Sequence, residues 1–167
     1  MRVFEEKQRF NQWWLYAIFA LVIAVLIGGI YKDFEGFQNF DNPVQFLFSL
    51  AALLPMAFIL FLRQDTRIDS EGITTKFYPM GFSRKFFAWK KIEKVYVRKY
   101  SPIAEYGGWG IRGIGRKKAY NVAGNLGIQI VTIDKKKFLI GTQKPDAARA
   151  VLKQYQHKTN KNNKIFQ

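Results

Sequence analysis

The feature that most constrains this chain is an uninterrupted apolar run, Trp13 to Tyr31 (WWLYAIFALVIAVLIGGIY), in which nothing is more polar than tyrosine and glycine. At ~1.5 Å rise per residue, a helix of that length matches the ~30 Å hydrocarbon core of a bilayer. A second run, Val44 to Leu62 (VQFLFSLAALLPMAFILFL), has Gln45 and Ser49 as its only polar side chains. Pro55 predicts a kink there, which a neighbouring helix accommodates. A domain this small could not cover two such helices on every side, which argues against two buried core helices. The first run also exceeds the roughly 7–15-residue core of a signal peptide, and no small-x-small cleavage site precedes Lys32. The expectation is an N-terminal segment, residues 1–63, containing a transmembrane hairpin with helices at about 13–31 and 44–62.

Flanking residues orient that hairpin. Trp13, Trp14 and Tyr16 open the first run and Tyr31 closes it, and amphipathic aromatics favour the headgroup level. Lys32–Pro43, the connection, carries Lys32 against Asp33, Glu35 and Asp41. Residues 1–12 carry Arg2, Lys7 and Arg9 against Glu5 and Glu6. All the other basic residues lie after residue 62, where 23 of them face 7 acidic residues for a net of +16, within a whole-chain charge of +15. Positive flanks stay in the cytoplasm. Both termini are expected there, with the short connection outside.

The basic half reads as β-rich. Short runs at Thr66–Ile68, Ile73–Tyr78, Ser83–Trp89, Ile92–Tyr100, Lys118–Val122, Gly127–Ile133 and Lys137–Ile140 are separated by turn residues. Lys94-Val-Tyr-Val-Arg98 alternates polar and apolar side chains, as a half-buried strand does. Asp134-Lys-Lys136 predicts a hairpin turn, and Tyr106–Gly115 an irregular glycine-rich stretch. Pro145–Tyr155 predicts a helix with proline in the first turn and Asp146 at its positive end. Ala148, Val151, Leu152 and Tyr155 form its apolar face. The tail, 157–167, is basic, rich in asparagine and expected to be disordered.

Six or seven short antiparallel strands closed by one helix predict an α+β domain, a small barrel or sandwich over residues 64–156. In that order, Trp89-Lys-Lys-Ile-Glu-Lys-Val-Tyr-Val-Arg98, Tyr106-Gly-Gly-Trp-Gly-Ile-Arg112, Ala119-Tyr-Asn-Val122 and Ile140-Gly-Thr-Gln-Lys-Pro145 resemble the bacterial pleckstrin-homology (PH)-like domain. The whole chain resembles small bacterial membrane proteins in which two helices precede such a domain. The resemblance implies a fold and a setting in the bacterial cytoplasmic (inner) membrane, crossed twice; it supplies no catalytic residue and no ligand.

Chemistry-bearing motifs are few. Gly108-Trp-Gly-Ile-Arg-Gly113 is a literal G-x-G-x-x-G, but a dinucleotide site needs a helix opening on the third glycine inside a βαβ unit. Here β-like runs flank it, so Gly107, Gly108 and Gly110 are expected to bend the backbone, with Trp109 packed as an anchor. The chain has no cysteine, and its one histidine, His157, falls in the tail. No His/Asp/Glu cluster has metal-ligand spacing. The reading is therefore no enzyme, no metal and no cofactor.

Basic residues remain. Arg84, Lys85, Lys90, Lys91 and Lys94 surround Phe86, Phe87 and Trp89; Arg112, Arg116, Lys117 and Lys118 form a second set, and Lys135–Lys137 caps a hairpin. No nucleic-acid motif accompanies them. With about three to five residues between Leu62 and the first strand, at ~3.5 Å each, the domain stays within roughly 10–18 Å of the bilayer. Anionic lipid there offers ~1 kcal/mol per near basic group. The expected contact residues for anionic lipid or a partner are Arg84, Lys85, Lys90, Lys91, Arg112, Arg116, Lys117 and Lys118, attracted diffusely and without one pocket. Gly107, Gly108, Trp109, Gly110 and Pro145 are expected to be structural. The function so predicted is a non-enzymatic interaction module at the cytoplasmic membrane face, binding anionic lipid headgroups or an unidentified membrane or cytoplasmic protein. The alternative is an accessory subunit of a membrane transport or export complex.

Overall fold

The first strand looks like a charged flank. Phe4–Arg9 (β1) alternates, with Phe4, Glu6 and Gln8 buried and Glu5, Lys7 and Arg9 exposed. It pairs antiparallel with β2 (Arg63–Ile68) over its whole length, Phe4 opposite Ile68 and Arg9 opposite Arg63. Residues 1–9 therefore belong with the β-rich half. The chain forms two compact units, Phe10–Leu62 and the remainder, so the first is an insertion into a β-hairpin. The return strand begins at Arg63, directly after Leu62, and not several residues later.

This computed structural model describes residues 3–35, 51, 54–55 and 57–159. In the inserted unit, α1 (Trp13–Glu35) is helical, with its side chains described as far as Gly28, and residues 57–61 are helical. The rest of the expected second helix lies largely outside the described residues. Among the described residues, no helix is long and apolar enough to cross a membrane.

The β-rich unit is α+β. One sheet has the order β1-β2-β3-β4, with β3 at Gly72–Tyr78 and β4 at Lys85–Ala88, all antiparallel. The second holds β5 (Ile92–Lys99), β6 (Gly110–Ile114), β7 (Lys117–Asn121), β8 (Leu126–Thr132) and β9 (Lys137–Gly141) in the order β5-β8-β9-β7-β6. The β8–β9 hairpin inserts between β5 and β7, which sets β9 parallel to β7; every other pair is antiparallel. The expected irregular stretch is instead β6, preceded by a short helix, α2 (Pro102–Tyr106), capped by the Ser101 hydroxyl and closed by Gly107 at φ 71°.

The sheets face each other across an aromatic seam. Phe77 meets Tyr120 edge-on at 5.5 Å, Tyr120 meets Phe138 at 4.9 Å, and Phe138 meets Phe87 at 5.0 Å between centroids. Such pairs add about 0.5–1.5 kcal/mol each beyond the area they bury. Polar contacts fasten β1 to the second sheet. The Glu6 carboxylate accepts from Thr142 Oγ1 at 2.6 Å and from the Gln143 amide at 2.8 Å, while Gln8 Nε2 donates to Gly141 O at 2.8 Å.

Helix α3 (Pro145–Tyr155) packs on this unit through Ala148, Val151, Leu152 and Tyr155, the face its spacing predicts. Tyr155 stacks on Trp89 at 5.4 Å, and the indole N–H donates to Asp69 O at 2.9 Å. At the start of the expected tail, Gln156–Lys158 forms a 3-10 turn and Thr159 is buried, while 160–167 lie outside the described residues.

Candidate anion-binding cleft

Edge strand β4, the 3-10 turn Trp89–Lys91 and the tips of two hairpins converge on an open cleft of about 620 Å³. Lys85 and Phe87 come from alternate positions of β4. Gly115 turns the β6–β7 hairpin with a φ of +61°, the sign that a two-residue turn of the II′ type needs at its first central position, and so presents Arg116 and Lys118. The β8–β9 turn supplies Lys136 and Lys137, with Thr132, Ile133 and Asp134 beside them. Phe86, Phe87 and Phe138 give the cleft an apolar lining.

Its charge is lopsided. Lys85, Lys91, Arg116, Lys118, Lys136 and Lys137 face one carboxylate, Asp134. Asp134 lies 2.5 Å from Lys136 Nζ and accepts from Thr132 Oγ1 at 2.5 Å, and these contacts, Lys136 first, hold its carboxyl at about 2. Among the described residues, the other five cations have no carboxylate within ion-pair distance. Nearby acids are engaged elsewhere: Glu93 holds Lys135 at 2.7 Å, and Glu105 grips Arg98 in two hydrogen bonds at 2.6 and 3.0 Å. Arg98, with lesser help from the Ser101 amide and Lys117, holds Glu105 at about 2 despite partial desolvation. A concave surface of one sign with a low-dielectric floor concentrates its potential, and lysine and arginine donors there suit phosphate or carboxylate oxygens.

A second groove, about 740 Å³, lies along the first sheet. Glu5, Asp65, Asp69 and Glu71 there oppose Lys7, Arg63, Arg67, Lys76 and Arg84. Arg63 binds Asp65 at 2.7 Å, and Arg67 binds both Glu5 and Asp69 at 3.0 Å.

The fold divides the residues expected from sequence. Lys85, Lys91, Arg116 and Lys118 all line the cleft. Arg84 turns into the ion-paired groove. Lys117 lies 5.0 Å over the Tyr106 ring and 4.0 Å from Glu105. Arg112 donates through Nε to Trp109 O at 2.7 Å, and exposed Lys90 lines neither groove. Trp109 is half-buried, its indole N–H donating to Gly124 O at 3.3 Å. Gly108, Gly110 and Gly113 all have positive φ, and a Cβ on Gly113 would collide with the Lys117 carbonyl, so this motif bends β6 and opens no helix. Pro145 takes the first turn of α3.

Sequence reasoning left Lys136, Lys137, Phe87 and Phe138 out of the contact set. The Lys135–Lys137 run was visible as a hairpin cap, but nothing local says that it faces β4. Among the described residues, no group of three His, Cys, Asp or Glu is placed to hold a metal. Comparison with protein-family models, with curated proteins and with solved structures finds no match.

Proposed function

We propose that this chain is a non-enzymatic membrane protein that displays a PH-like module at the cytoplasmic face, where the basic cleft engages anionic lipid headgroups. The cleft carries the reading: five cations without a carboxylate partner among the described residues come from four separate segments to line one concavity with an aromatic floor. Scattered surface lysines have no reason to converge in this way.

Two observations support the membrane setting. Tyr16, Ile18, Leu21, Ile23, Val25 and Ile27 are all exposed, and at 100° per residue they fall on two opposite flanks of α1, with Leu15 and Phe19 buried on a face between them. A helix apolar all round needs apolar surroundings, and the uncharged run continues in the sequence to Tyr31. Arg9 and Arg63 are also register partners, so the inserted segment leaves and returns at one point of one sheet. If it enters a bilayer, it crosses an even number of times. That topological argument agrees with the charge-based placement of both termini in the cytoplasm.

Hydrogen exchange on the full chain in proteoliposomes tests the cleft. Adding anionic lipid to a phosphatidylcholine bilayer is expected to slow exchange in 85–91, 115–118 and 132–138. No change in these segments, or an equal change everywhere, would sink the headgroup reading. Purification in mild detergent with a stoichiometric membrane protein would favour the accessory-subunit alternative.

A further inference from the structure

The end of the first sheet at which the inserted segment leaves carries a loop with an unusual outward residue. Arg9 pairs with Arg63, and Arg63 pairs in turn with Tyr78, so the exit, the return and the last residue of β3 form one row. The chain then loops through Pro79–Arg84 and re-enters the sheet at Lys85, opposite Thr75. Phe82 in this loop is 85% exposed and Tyr78 is 55% exposed.

The loop is built to hold Phe82 out. Its neighbour Ser83 is buried, and the Ser83 Oγ accepts from the Phe77 amide at 2.7 Å and lies 2.6 Å from Met80 O, a hydrogen-bond acceptor for its proton. The Ser83 amide donates to Met80 O at 3.0 Å and the Arg84 amide to Gly81 O at 3.4 Å, closing a 3-10 turn over Gly81–Ser83. With Ser83 pinned inward, Phe82 cannot fold back onto the sheet without breaking these bonds. Arg84 and Lys85 follow it immediately, and the Arg63 guanidinium sits 5.2 Å over the Tyr78 ring. An aromatic pair flanked by arginine and lysine is the composition of an interfacial anchor: rings prefer the headgroup level and the cations meet phosphates.

We propose that the β3–β4 loop, Tyr78–Arg84, docks on the phospholipid interface with Phe82 seated among the headgroups, and that this contact sets the orientation in which the module presents its cleft. The inference rests on the membrane anchorage proposed above. It goes further in assigning a second, apolar lipid contact, in the loop that leads into the cleft residue Lys85. Ile103, in α2, is 69% exposed and lines neither groove, so it serves as the aqueous reference.

The absence of cysteine makes the test direct, because each introduced cysteine is the only one. Full-length Ile23→Cys, Phe82→Cys and Ile103→Cys are labelled with an environment-sensitive fluorophore. Each is reconstituted in phosphatidylcholine–phosphatidylglycerol vesicles with nitroxide lipids, the nitroxide placed either near the headgroup or deep in the acyl chain. The expected result is quenching at 23 by the deep nitroxide. At 82, quenching by the shallow one should be several-fold stronger than at 103. Quenching at 23 with none at 82 overturns the docking and leaves the anchor standing. Quenching at 82 but not at 23 overturns the anchor and keeps the docking. Shielding of 82 from aqueous iodide without quenching by lipid overturns the proposal in favour of a protein surface, including a second copy of this chain.

Discussion

Two grooves of similar size occupy one domain, about 620 and 740 Å³, and chemistry separates them more than shape does. The groove along the first sheet neutralises itself. Its arginines and carboxylates alternate along adjacent strands, so Arg63, Arg67, Glu5, Asp65 and Asp69 find partners within 3.0 Å. Exposed pairs of this kind contribute about 0–1 kcal/mol each and leave little net field. In the cleft the cations come from turns far apart in sequence, and the carboxylates that could have quenched them bind other residues. The lesson is that excess charge becomes a candidate site where local partners are absent. Net charge alone does not locate it.

The sharpest way to break this comparison is to remove β1, which lines one groove and not the other. A version comprising residues 64–159 loses Phe4, Glu6 and Gln8 from the interior and unpairs β2. That loss should exceed about 5 kcal/mol, enough to unfold a marginally stable domain. Residues 3–9 joined to 63–159 by an Asn-Gly turn should instead melt cooperatively, because Arg9 and Arg63 already face each other as hairpin ends. Circular dichroism melts of the two versions decide this; equal stability would mean that β1 is dispensable and both grooves belong to the later strands alone.

On the turn-closed version, Lys85→Gln, Arg116→Gln and Lys118→Gln together should weaken co-sedimentation with anionic vesicles by about 100-fold, from ~1 kcal/mol per near-membrane charge. Neutralising Lys7, Lys76 and Arg84 should cost far less if the cleft is the main electrostatic contact. Equal losses from the two sets would show that only total charge matters. Both effects should shrink as salt shortens the Debye length.

Smaller changes sharpen the picture. Asp134→Asn removes the one carboxylate that lines the cleft among the described residues and releases Lys136, so vesicle affinity should rise about five-fold, again from ~1 kcal/mol per charge. An unchanged affinity would place the lipid contact elsewhere. Glu105→Gln should lower stability at neutral pH by about 1 kcal/mol once solvent screening is allowed for. Glu105 has a depressed native pKa, so its contribution is complete above the ordinary carboxylate value of 4.5 and fades as pH falls through about 2. Chemical denaturation should therefore show the variant and the parent converging between pH 4.5 and 2; a gap that persists at the acid end would assign the loss to packing.

Much of the later fold was legible locally. The spacing of Ala148, Val151, Leu152 and Tyr155 marks one helical face, and all four are buried. Asp134–Lys136 falls in the β8–β9 turn. The glycines around Trp109 were readable as bends because positive φ is cheap only for glycine. β1 was hidden because its inward side chains include Glu6 and Gln8, which by polarity belong outside. Their partners, Thr142, Gln143 and Gly141, lie more than 130 residues away.

By itself the sequence determined the quantities that add up along the chain: the uncharged run that begins at Trp13, the +16 after residue 62, the period of each strand and the turn chemistry between them. Periodicity and composition act over a few residues, so a linear reading captures them. Only the tertiary structure decided that residues 3–9 close a hairpin across an insertion, that β9 lies parallel to β7, and that Lys85, Arg116 and Lys137 share one cleft while Arg84 joins another. Those outcomes depend on which distant strands pair, and pairing is chosen by the burial of a whole face at once. A one-residue change of register would turn the same lysines to the opposite side.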